Sequence, residues 1–171
     1  MNVTHVAAAD GAGGAARGGY RIHRALVECA ASEGVHSSMR VCRKVTDDES
    51  VVGGDPCMQG FGRRILRPRL ARMRTRGFTT GSESFHSIAW PSTGLGRELS
   101  RGTADVLNLQ WLGRDTLSVE EIGALRQPVV WTMHDMWTMC GAEHYSDDER
   151  YVTGYDRSVR PAFEAGPDVN A

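Results

Sequence analysis

Two short stretches carry residue types that do chemistry. In "VVWTMHDMW" (129–137) an apolar, β-favouring run stops at His134 and Asp135. An imidazole at a strand end can act as a general base, donate a hydrogen bond to a substrate oxygen, or be a packed histidine. Asp135 can orient that ring or cap the segment that follows. In "DGAGGAARGG" (10–19), Gly11, Gly13 and Gly14 let the backbone approach a ligand and take positive φ. With Ala16 they fit a G-x-G-x-x-A spacing. A helix that follows such a loop offers free N–H groups and a positive end, which suit phosphate. The same glycines also make a tight strand-to-helix turn that binds nothing. Cys140 and His144 join His134 and Asp135 in having metal-ligand chemistry, but their spacing matches no structural zinc pattern, and no metal is expected.

These residues need elements to bring them together. "NVTHVAAA" is a short strand ending at Asp10, and "YRIHRALVECAASEG" has helical spacing with Gly34 as its stop. "VHSSMRVCRK" alternates as a second strand. A strand–glycine loop–helix–strand unit predicts parallel strands joined by a right-handed crossover. "ADVLNLQWL" reads as a third, buried strand. "SVEEIGALRQ" reads as a short helix opened by a capping box, Ser118 with Glu121. "VVWTM" reads as a fourth strand, central enough that Val130→Asp should prevent folding. Apolar residues on both strand faces imply a parallel sheet covered by helices. The expected fold is α/β, a Rossmann-like parallel sheet flanked by helices, in one domain over 1–171. Within it, 45–90 is irregular and basic and 138–171 is a loop-rich tail. Ligands of such sheets bind outside the strand C-termini. There the glycine loop, Asn108, Gln110, Trp111, His134 and Asp135 should converge.

Composition narrows the function classes. With 40% hydrophobic and 24% charged residues and a net charge of −1, the chain has no global attraction to nucleic acid or membranes. No apolar run approaches the ~20 residues of a membrane span, and no signal peptide is evident, so a cytoplasmic location is expected. The four cysteines show no disulfide pattern. Arg63, Arg64, Arg67, Arg69, Arg72, Arg74 and Arg76 form a basic run, broken by Pro68 if helical. It is either a solvated face or a surface for anionic lipid or a phosphate-bearing acceptor. Poor aromatic interleaving argues against nucleic acid.

"GGAARGGYRIHRAL" (13–26), "ADVLNLQWL" (104–112), "LSVEEIGAL" (117–125) and "PVVWTMHDMW" (128–137), in this order, resemble the N-terminal half of bacterial family 4 glycosyltransferases of the colanic-acid and exopolysaccharide type. "CGAEHYSDDERYVTGYDRSVRPAFEAG" (140–166) is similar to the segment that follows in one branch of that group. Tyr155 stands where some relatives have a cysteine. The resemblance implies half of a GT-B fold. It also implies retaining sugar transfer from a nucleotide-sugar donor to a polysaccharide or lipid-linked acceptor, without a resident cofactor or catalytic metal. By this resemblance Gly11, Gly13 and Gly14 approach the donor phosphates. His134 meets the transferred sugar, Asp135 positions His134 or the loop, and Gln110 and Trp111 line the acceptor side. Arg63, Arg64 and Arg67 would touch the inner membrane face peripherally. The family's C-terminal donor-binding domain, with its E-x7-E glutamates, is absent from these residues. The chain is therefore expected to be inactive alone, or to act with a separate chain carrying that domain. The competing readings are an NADP-binding oxidoreductase domain and a non-catalytic truncated fragment. Arg43 and Lys44 stand where NAD would want an acidic residue.

Overall fold

The computed structural model describes residues 1–54, 65–81, 83–146 and 149–170. Strand β1 (Asn2–Ala9) leads through the glycine loop into helix α1 (Gly14–Glu33), and β2 (His36–Arg43) and the two-residue β3 (Val51–Val52) follow. Helices α2 (Arg67–Arg74) and α3 (Leu95–Arg101) precede β4 (Val106–Leu109). Helix α4 (Val119–Gly123) links β4 to β5 (Val129–Trp131), and the short α5 (Arg150–Thr153) lies in the C-terminal segment. The five strands form one sheet in the order β3-β2-β1-β4-β5, and every pairing is parallel. The α/β Rossmann-like architecture is therefore the one the sequence implies.

The two faces of the sheet differ in chemistry. One packs Val6, Leu107 and Leu109 with Leu95, Leu99, Leu117 and Trp137 into the larger apolar core. The other, under α1, has a small apolar cluster of Ala7, Met39, Val41 and Val51 beside Tyr20. It also carries polar side chains. His23 of α1 bonds Ser37 and Ser50 through its two ring nitrogens, both at 2.8 Å, and its ring meets that of His5 edge-on. In β4 the period-2 alternation puts Leu107 and Leu109 into the core and leaves Asn108 for the polar side. Apolar residues lie on both faces, as expected, and the α1 side carries in addition a polar layer that the sequence reading did not include.

Other boundaries also differ from the sequence reading. Helix α1 begins at Gly14, not Tyr20, so Gly18 and Gly19 lie inside it. Strand β3 was hidden in a stretch with loop composition. Pro68 does not break a helix; it sits in the first turn of α2, where its missing N–H costs no bond. β5 is an edge strand, with Val129 41% and Val130 54% exposed, so Val130 is not a buried central residue. The capping box of α4 is present as expected, Ser118 and Glu121 satisfying each other's backbone N–H groups. The C-terminal segment packs closely on the rest. Cys140, Glu143, His144, Arg150, Glu164 and Asn170 are buried, and Thr79 pairs with Ala165 and His86 with Glu143 through antiparallel bridges. Cys29, Cys42 and Cys140 are not joined in disulfides, and Cys57 lies outside the described residues.

Candidate functional site

Strands β1, β4 and β5 end together, so Asp10, Gln110 and Thr132 begin the loops at one edge of the sheet. Asp10 is fully buried. Its carboxylate accepts from the amides of Val45 and Thr46 and from the Thr46 hydroxyl, at 2.7, 3.0 and 2.6 Å. Burial alone would raise its pKa, but these donors win and hold it below the usual carboxylate value. Asp10 therefore fastens the start of the glycine loop to the loop after β2 and leaves the glycines themselves exposed or half-exposed. Gly13 has φ 102°, which favours glycine, and serves as the N-cap of α1 with no side-chain cap. The first turn of α1 holds no acidic residue that would oppose an anion.

His134 reaches the same corner. Its Nε2 lies 2.8 Å from Gln110 Oε1, and its ring lies over Gly18, where an added Cβ would come within 3.3 Å of Cε1. Gly18 is four residues from Gly14, so the imidazole sits ~6 Å along the axis from the start of α1, by the helical rise. Gly19 gives Gln110 similar clearance, since a Cβ there would be 3.1 Å from Gln110 Oε1. Each glycine inside a helix costs about 1 kcal/mol relative to alanine. The pair is explained by these two close approaches.

Gln110 is 1% exposed. Its Nε2 reaches His5 Nδ1 at 3.3 Å and donates to Asn108 Oδ1 at 3.2 Å. The Thr132 hydroxyl donates to the same Asn108 oxygen. Gln110 thus lies under His134 and supports it, with no open face toward an acceptor. His5 is fully buried and its Nε2 has no hydrogen-bond partner among the described residues. Burial, then the neighbouring His23, lowers its pKa to about 4.

Asp135 does not bond His134. It accepts from Trp111 Nε1 at 2.6 Å and from the Trp137 amide at 3.1 Å, and it accepts from His144 Nδ1–H. His144 Nε2 lies 2.9 Å from Ser87 Oγ. Ser87, His144 and Asp135 therefore stand in the order of a serine nucleophile, its base and the base's orienter. The surroundings favour a structural role. Ser87 and His144 are 3% and 2% exposed. The amides of Ser87, Ala89, Ala142 and His144 are all spent on partners within the protein, so they cannot receive an oxyanion. The relay ties the loop after β5 to residues 84–90. Trp111, half-buried, gives its indole N–H to this relay rather than to a ligand.

His5, Gly18, Gly19, Ser87 and the positioning role of His144 were not read from the sequence. Asn108 and Gln110, polar in a strand otherwise apolar, were the available signal. Among the described residues no group of three or more His, Cys, Asp or Glu side chains could hold a metal ion. A cleft of about 480 Å³ lies between α3 and α4, bordered by Arg97, Arg101, Glu120 and Arg126, and includes neither the glycine loop nor His134. In the basic run, Arg63 and Arg64 lie outside the described residues. Arg67 turns inward, its guanidinium donating to the carbonyls of Asp115 and Pro91. No helix among the described residues is long and apolar enough to cross a membrane. No protein-family model, curated protein or solved structure matches the chain.

Proposed function

We propose that this chain forms the acceptor-side half of a retaining glycosyltransferase that uses a nucleotide-sugar donor and a polysaccharide or lipid-linked acceptor. The observation that carries this reading is the His134 ring, held by Gln110 over Gly18 beside the exposed glycine loop. Gly11, Gly13 and Gly14 and the N-terminus of α1 would face the donor diphosphate. His134 would meet the sugar. Asp135 would shape the loop that presents His134, through Trp111, His144 and the Trp137 amide. Transfer requires donor and acceptor in near-attack geometry. In the glycosyltransferases that this chain resembles a second domain supplies much of the nucleotide grip, so residues 1–171 by themselves are expected to bind donor weakly and to show no turnover. Peripheral contact with an anionic membrane would fall to α2. There Arg69, Arg72 and Met73 are exposed, and Met73 is 73% exposed.

One observation favours an NADP-binding oxidoreductase domain instead. Arg43 and Lys44 are exposed at the end of β2, where a 2′-phosphate would sit. Calorimetric titration with UDP-glucose, GDP-mannose and NADP separates the readings. Binding of a nucleotide sugar that His134→Ala abolishes supports sugar transfer. Binding of NADP alone reverses the choice, and turnover by the isolated chain refutes its dependence on a second domain.

A further inference from the structure

We infer that Gln110 is a positioning residue that fixes the tautomer of His134, with the proton on Nε2 and the lone pair of Nδ1 turned toward the ligand corner. The inference relies on the sugar-transfer reading only for the identity of that ligand. One contact sets the direction: Gln110 Nε2 donates to Asn108 Oδ1, which also accepts from the Thr132 hydroxyl. The same nitrogen faces His5 Nδ1, which accepts or donates according to its tautomer. The remaining end, Oε1, can only accept, so His134 Nε2 carries the hydrogen. Nδ1 makes no hydrogen bond among the described residues, and the ring packs over Gly18, where an added Cβ would lie 3.7 Å from Nδ1.

A neutral ring in this state offers an acceptor. It therefore takes a hydroxyl or N–H donor and repels an anionic phosphate oxygen. This assigns the ring to a sugar hydroxyl and leaves the diphosphate to the glycine loop. A mirror network exists in which both amides turn over. It would place the hydrogen on Nδ1 and give the opposite preference.

Ring-nitrogen NMR of the 15N-histidine-labelled chain distinguishes the two networks. The expected result is a protonated Nε2 with a slowly exchanging ring proton. Gln110→Leu should lose that proton signal. Gln110→Glu, which keeps an oxygen facing the ring, should retain it. A protonated Nδ1 in the wild-type chain overturns the inference with no variant needed, so a misfolded Gln110→Leu leaves the test intact. An unchanged Nε2 proton in a folded Gln110→Leu also overturns it. UDP-glucose should then shift Nδ1 while UDP should not. Equal shifts refute the hydroxyl assignment. With no shift from UDP-glucose, GDP-mannose or the free nucleotides, the sugar-transfer reading falls and the hydroxyl assignment falls with it, while the tautomer stands.

Discussion

Replacing His134 by alanine removes one hydrogen bond, to Gln110 Oε1, and a half-buried ring that lies over Gly18. His134→Ala is expected to stay folded, within about 1 kcal/mol of the parent in urea, and to lose donor binding. Its neighbour behaves differently. The Asp135 side chain is 9% exposed and satisfies an indole, an imidazole and a backbone amide. Asp135→Ala strands these donors and should cost on the order of 3 kcal/mol in the same measurement. If the two variants lost equal stability, the division between a ligand-facing histidine and a structural aspartate would be wrong. Sequence alone could not make this division. The bond between Gln110 and His134 spans 24 residues and exists only because β4 and β5 pair in a register that sets Leu109 beside Trp131.

Helix α1 and strand β5 show what limited the reading of elements. The pair Gly18-Gly19 carries strong turn character, and it hid the first turns of a 20-residue helix. Both glycines are set by tertiary approach, and alanine substitutions separate their duties. Gly18→Ala gains about 1 kcal/mol of helix propensity and presses only on the half-buried His134 ring, so its melting temperature should match or exceed the parent's. Gly19→Ala presses on the buried Gln110 amide and should melt lower. In β5, "VVWTM" is apolar enough for a central strand, and periodicity cannot show that the sheet stops there. Because Val130 is 54% exposed on the edge strand, Val130→Asp should shift stability by only about 0.5 kcal/mol. Leu107→Asp, fully buried on the neighbouring strand, should unfold the domain. Unfolding by Val130→Asp would mean that the edge is covered. The Ser118 capping box transferred directly because its two partners lie three residues apart, and β1 and β2 because short β-favouring runs are set off by the glycine loop and by Gly34.

Across the whole molecule the polar layer under α1 ties stability to pH. The folded pKa of His5 is about 4 against 6.5 for the unfolded side chain, with burial the main cause and His23 the second. His23 is lowered too, chiefly by burial. Between pH 6.5 and about 4 the unfolded chain binds more protons than the native one, so stability is full above this window and falls as pH drops through it. His5 alone contributes about 3 kcal/mol to that loss, at 1.36 kcal/mol per pH unit. Asp10 and Glu121 add a further loss at lower pH. Burial opposes their depressed pKa values, but hydrogen bonds from backbone amides and from the Thr46 and Thr93 hydroxyls outweigh it. Thermal melts should therefore fall steadily from pH 7 to pH 4, and His5→Gln should flatten that slope. A flat profile in the parent would show that His5 gains a proton without cost. The parallel order of the strands was readable because each apolar run returns through a helix-length or longer connection. The polar character of the α1 face was not, because it arises from single residues, His5, His23, Asn108 and Gln110, far apart in the chain.

If the glycine loop and His134 line one site at the strand ends, hydrogen exchange read by mass spectrometry, with and without UDP-glucose or GDP-mannose, will show one donor slowing exchange in two segments together, the peptide over Gly11–Gly18 and the peptide over Thr132–Trp137. Protection of neither segment, or protection confined to the α3–α4 cleft around Arg97 and Arg126, would contradict it.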